Sequence, residues 1–208
     1  LNGKKMSKSE GNFLTIKNIV SKYGSDPTRF ALMKINSTTT DDANFTDEII
    51  NDAVLFLDTE YNWLYQVINE IKNITQDITQ DNCKEYTFWD YVFISQMKKI
   101  INKVTECYYS LNFSQIIFIG FYELLNYRNN YRNKYTDKII KINYNIILLY
   151  IKTHLMIAYP ICPLYVQSIL LMLSDIINFN TDDVIKWRKI EISTLDNKML
   201  WLTENIDN

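Results

Sequence analysis

Four glycines and three prolines are all that 208 residues supply, and this scarcity limits the fold more than any other feature. A β-sandwich or barrel reverses direction often and draws on both residue types to do so. A helical protein needs few of either. Apolar residues make up 47% of the chain and charged residues 22%, enough for one large core or two small ones and too apolar for disorder. The three cysteines, Cys83, Cys107 and Cys162, are an odd number without C-x-x-C spacing, so a reduced, intracellular protein with no metal site is expected. A single histidine, His154, excludes any paired-histidine ligand set; on an apolar helix it reads as a core residue. The opening Leu1-Asn2-Gly3-Lys4-Lys5 has neither Met nor a signal-peptide core and reads as an internal piece of a longer protein.

The apolar spacing is helical along most of the chain. Thr15 is a suitable N-cap for Ile16–Tyr23, which Gly24 stops. Asp26-Pro27 offers an N-cap and a proline at the first helical position, opening a helix to about Lys34. After a polar stretch, the period resumes at Thr46 with Asp47 and Glu48 in the first turn. Further helices are expected near 88–110, 114–131, 136–159, 163–177 and 195–206. Leu155 to Leu173 is 19 residues without a charge, close to membrane-spanning length. Pro160 and Pro163 break it, so two core helices meeting at a corner are expected and no membrane association. The reading is a mainly α chain: a short loop region over 1–45, then an antiparallel helical bundle over 46–208.

The net charge of −2 conceals strong local bias. Residues 1–40 carry seven bases against two acids, and residues 91–152 carry nine against three. Between them, residues 41–60 carry seven acids and no base, read as a helix start with a solvated face. Within the second basic segment, Arg128 and Arg132 are one helical turn apart, as are Tyr127, Tyr131 and Tyr135, with Lys134 following. Two arrangements suit this pattern. Bases and aromatics can meet phosphates and nucleobases, or the tyrosines can line the bundle seam while the bases stay in water. Trp63, Trp89, Trp187 and Trp201 are expected to be packing residues.

The most specific motif is Lys5-Met6-Ser7-Lys8-Ser9, followed by Glu10-Gly11-Asn12. Two lysines, two hydroxyl residues and a nearby glycine describe a positively charged loop able to close over polyphosphate. Its ammonium groups would offset charge developing on a leaving pyrophosphate. On composition alone a solvated basic terminus fits as well. As a string, however, Lys-Met-Ser-Lys-Ser is the signature loop of class I aminoacyl-tRNA synthetases. Phe13-Leu14-Thr15 after Gly11-Asn12, and the later Asp42-Ala43-Asn44-Phe45 run, resemble the leucyl-tRNA synthetases of the archaeal/eukaryotic type. Asn126 to Arg132 and Pro160-Ile161-Cys162-Pro163 fall where that family has a basic tRNA-side helix and a Pro-x-x-Pro corner. Leu164 and Gln167 depart from the histidine and glutamate usual after that corner.

The resemblance implies a fold and a task. Residues 1–45 would be the signature loop and stem-contact region, and 46–208 the anticodon-binding bundle. Lys5 and Lys8 would be catalytic, with Lys5, Ser7, Lys8 and Ser9 at the ATP phosphates, Mg²⁺ accompanying ATP by analogy. Arg128, Arg132 and Lys134 would face tRNA-Leu. Leucine and ATP would be substrates of a full-length cytoplasmic enzyme, either monomeric or in a multi-synthetase assembly. The family's His-x-Gly-His motif does not occur in these 208 residues, which hold one histidine. The chain alone is therefore not expected to activate leucine. The alternatives are a non-catalytic tRNA-binding module and a decayed synthetase segment without activity.

Overall fold

A computed structural model describes residues 1–35, 43–77, 86–135 and 142–174. Among the described residues it is mainly α. After an irregular opening come α1 (Ile16–Tyr23), α2 (Ser25–Ile35), α3 (Asp47–Asp77) and α4 (Phe88–Tyr109). Next, α5 (Phe113–Ile117), a π-helical segment (Phe118–Glu123) and α6 (Leu124–Asn133) follow without a break, and α7 (Tyr144–Ala158) and α8 (Pro163–Leu173) complete the order. The chain divides into a unit Leu1–Ile169 and a unit Leu170–Asn208. The helix expected near 195–206, with Trp187, Trp201 and Cys83, lies outside the described residues.

Local chemistry sets the helix ends. The Thr15 hydroxyl accepts from Asn18 N–H at 3.1 Å and caps α1; Gly24 N–H donates to Val20 O at 2.9 Å and closes it. Thr87 and Asp90 form a reciprocal capping box on α4, with bonds of 3.3 and 2.8 Å. The charge-free stretch bends as expected, α7 ending at Ala158 and α8 beginning at Pro163. No described helix is long and apolar enough to cross a membrane.

The core is built from the inward faces of these helices. Phe30 of α2, Phe56 of α3 and Phe121 of the π-helical segment meet at ring centroid distances of 5.0 to 6.3 Å. The π-helical segment lies at the tightest packing point. A Cβ on Gly120 would stand 2.6 Å from Ile157 Cγ2 and 3.3 Å from Val104 Cγ2, so only glycine lets this segment approach α7 and α4. His154 is buried, as expected. Its Nε2 lies 3.0 Å from the Tyr165 hydroxyl, and burial, helped by the Arg128 charge, lowers its pKa to about 3.

Candidate functional site

The signature motif folds into a small closed hairpin. Ser7 N–H donates to Asn12 O at 2.9 Å and Gly11 N–H to Lys8 O at 3.3 Å. Asn12 Nδ2 donates to Lys5 O at 3.1 Å, and the Ser7 and Ser9 hydroxyls pair at 2.8 Å. Gly11 turns the chain at φ +70°, a region glycine enters without steric strain. Lys5, Lys8 and Ser9 are exposed and Ser7 is partly so. The hairpin therefore uses its backbone and one asparagine to hold shape, leaving both ammonium groups in water. Its root is tied from the other end of the same region. Asn2 N–H donates to Phe45 O at 2.9 Å, and Gly3 N–H to Asn44 Oδ1 at 2.7 Å. The Asn44-Phe45 pair thus anchors the strand entering the loop.

A second set of bonds links the helices after the loop to the bundle. Arg29 of α2 donates from Nε to Ile161 O and from Nη2 to Pro160 O, both at 2.7 Å. These carbonyls sit at the end of α7, in the corner whose prolines leave backbone acceptors unpaired. Asp26, expected to cap its own helix, instead accepts Tyr165 N–H at 2.7 Å and satisfies the first turn of α8. Its carboxylate is buried. A helix N-terminus favours such a charge. Periodicity gave no sign of either contact, because each partner lies more than 130 residues away.

The basic helix α6 divides its residues between interior and solvent. Arg128 is only 3% exposed. Its guanidinium holds Glu60 of α3 through bonds of 2.6 and 3.1 Å, and its Cζ lies 3.7 Å from the Trp63 ring centroid. The surface position expected for Arg128 is thus corrected: it is a core ion pair, and it consumes an acid from a run expected to be solvated. A bidentate guanidinium–carboxylate pair at 3% and 2% exposure can persist there because each charge meets the other's hydrogen bonds. Arg132 and Lys134 are exposed. Arg132 lies 5.3 Å from the Trp63 ring and Lys134 4.5 Å from that of Trp89.

Of the tyrosines, Tyr131 and Tyr135 follow the seam arrangement, while Tyr127 is half-buried with its hydroxyl donating to Glu123 one turn earlier at 2.8 Å. Tyr131 is buried, stacked 4.6 Å from Phe93, with its hydroxyl donating to Asp90 at 2.5 Å. Burial and the Asp90 carboxylate push that hydroxyl far above the usual phenol range. Tyr135 donates to the same carboxylate oxygen at 2.9 Å and pairs with the Thr87 hydroxyl at 2.6 Å. Asp90 therefore caps α4 and fastens α6 to it at once.

Residues 1–46 match the family model described as tRNA synthetases class I (I, L, M and V). Over 176 residues, 83% of this chain, the sequence is 32% identical to the leucine–tRNA ligase, cytoplasmic, of Dictyostelium discoideum. It is 31% identical over 81% of the chain to the putative leucine–tRNA ligase, cytoplasmic, of Schizosaccharomyces pombe, and likewise to the leucine–tRNA ligase, cytoplasmic, of Saccharomyces cerevisiae. The chain belongs to the class I tRNA synthetases. The likeness to the leucine enzymes runs well past the family model's 46 residues into the helices. The chain spans about 15% of the length of these relatives. The two departures from the family pattern, Leu164 and Gln167, are both exposed on α8, so neither change reaches the core. Among the described residues no group of His, Cys, Asp and Glu could hold a metal ion.

Proposed function

We propose that this chain supplies a leucine–tRNA ligase with its ATP-phosphate loop and a tRNA-holding helical region. In that reaction leucine and MgATP give leucyl-adenylate and pyrophosphate, and the leucyl group passes to the 3′ end of tRNA-Leu. Lys5 and Lys8 stabilise charge on the phosphates; Ser7 and Ser9 shape the loop. Arg132 and Lys134 meet tRNA phosphates. The region 1–45 serves the catalytic step and 46–208 the tRNA, in the cytoplasm, as in the relatives. The observation that carries this reading is the hairpin: a motif shared with the family, held by its own backbone, with both lysines free in solvent.

Two exposed cations on one helix end supply phosphate contacts and no base readout. tRNA binding by the 208-residue chain is then salt-dependent and indifferent to tRNA identity. Replacing Arg132 and Lys134 together with Gln should weaken it and flatten the slope of log K against log salt by about 1.4–1.8 units, at roughly 0.7–0.9 per phosphate. A titration of tRNA at several salt concentrations measures this. An unchanged slope would remove α6 from the tRNA surface.

A further inference from the structure

The start of α3 holds both sides of the signature hairpin. On the entry side, Asn2 N–H donates to Phe45 O at 2.9 Å and Gly3 N–H to Asn44 Oδ1 at 2.7 Å. On the exit side, the Tyr23 hydroxyl at the end of α1 donates to Asp47 Oδ1 at 3.3 Å. Between these contacts Thr46 caps α3, its hydroxyl accepting Ile49 N–H at 3.3 Å. The run from Asn44 to Asp47 therefore seats the loop on a helix of 31 residues whose next turns, at Ile50, Ala53 and Leu57, are buried in the core.

Phe45 offers a carbonyl that any residue would keep, whereas Asn44 offers a side-chain oxygen that a substitution can remove. The Gly3 N–H it accepts lies two residues before Lys5. The chain turns there, with φ +52° at Asn2 and +76° at Gly3, and Lys4 N–H closes the turn on Leu1 O at 3.1 Å. From Lys5 to Asn12 the hydrogen bonds among the described residues run inside the hairpin. The hairpin is thus stiff within itself and is aimed from its root. Lys5 and Lys8 are exposed, so the backbone that carries them decides where their ammonium groups stand. A displacement of about 1 Å at a reacting centre can slow a reaction about 10²-fold. We propose that Asn44 is a positioning residue for adenylation: through Gly3 N–H it fixes the root of the hairpin and so sets where Lys5 and Lys8 meet the phosphates. The proposal rests on the reading that this loop serves ATP. Asn44 is itself exposed, so its replacement should leave the fold close to its original stability.

The test is leucine-dependent pyrophosphate exchange by a leucine–tRNA ligase containing this sequence, with Asn44→Ala, Asn44→Asp and Lys8→Ala made separately. Asn44→Ala should lower kcat about 2- to 12-fold, the rate equivalent of one hydrogen bond, with both KM values and the melting temperature close to wild type. Asn44→Asp keeps an acceptor oxygen at the same reach and should recover most of the lost kcat. Hydrogen exchange supplies a local readout. Gly3 N–H should exchange faster in Asn44→Ala but not in Asn44→Asp, while Ser7 N–H, bonded inside the hairpin, exchanges as in the wild type. Wild-type kcat in Asn44→Ala, beside a slow Lys8→Ala, would overturn the positioning role alone. So would equal losses in the alanine and aspartate variants, or a loss accompanied by a lower melting temperature, since Asn44 would then act on the fold. Wild-type kcat in Lys8→Ala would overturn the reading of the loop and this proposal with it.

Discussion

Arg128 and Arg132 are one turn apart on α6, yet their environments differ completely. Removing the Arg128 guanidinium leaves the Glu60 carboxylate charged in a dry interior, which costs about 3–5 kcal/mol. Arg132 is exposed, and such cations contribute about 0–1 kcal/mol. Urea unfolding should therefore show Arg128→Gln strongly destabilised and Arg132→Gln near wild type. Equal effects would contradict the placement. His154 sets a pH dependence. Its folded pKa, about 3, lies below the ordinary value near 6.5, so the unfolded state binds the extra proton between the two. Stability is then complete above pH 6.5 and falls toward pH 3, by about 1.4 kcal/mol per pH unit. The groups facing it, Arg128 of α6, Tyr150 of α7 and Tyr165 of α8, offer no compensating acid. Between pH 6.5 and 5 the wild type should lose roughly 2 kcal/mol that His154→Gln retains. Unfolding midpoints at the two pH values decide it, and parallel losses would place the imidazole in water.

At the scale of helices, the joint between α2 and the α7–α8 corner matters most, because it lies between the loop-bearing segment and the bundle. Arg29 satisfies two corner carbonyls and Asp26 the first turn of α8. Arg29→Ala strands the buried Ile161 carbonyl, the exposed Pro160 carbonyl turning to water, and Asp26→Asn removes a charge from a helix N-terminus while keeping the side chain's size. Asp26→Asn should cost about 0.5–2 kcal/mol, as for lost capping interactions, and Arg29→Ala about 1–3 kcal/mol, for the one carbonyl left unsatisfied in the interior. Hydrogen exchange checks the locality. Tyr165 N–H should exchange faster in Asp26→Asn while Asn18 N–H, under the Thr15 cap, does not. Uniform acceleration would mean that the bond is not a local joint. The sequence showed these helices and not their joint. Thr15, Gly24 and the two prolines act on neighbours within four residues, so their effect is readable in order. Glu60, 68 residues from Arg128, and Asp26, 139 from Tyr165, are chosen by tertiary packing. Helical spacing gives a residue's angle on its own cylinder and says nothing of the acid waiting on another.

For the whole molecule, the motif residues proved the most legible and the bundle's surface the least. The hairpin's hydrogen bonds are local, from Lys5 to Asn12, and its root at Asn44-Phe45 uses the second run that carried the family likeness. Trp89, expected to pack, is 40% exposed at the start of α4, where Asp90 and Phe93 take the inward positions. We propose that the loop's lysines meet charge that appears on the phosphates during adenylation. Lys8→Ala, made in a leucine–tRNA ligase containing this sequence and followed by leucine-dependent pyrophosphate exchange, tests it most directly. The prediction is a fall in kcat of about 10²–10³-fold with KM for ATP little changed, the pattern of an interaction made in the transition state. A defect confined to KM for ATP, with kcat intact, would contradict it.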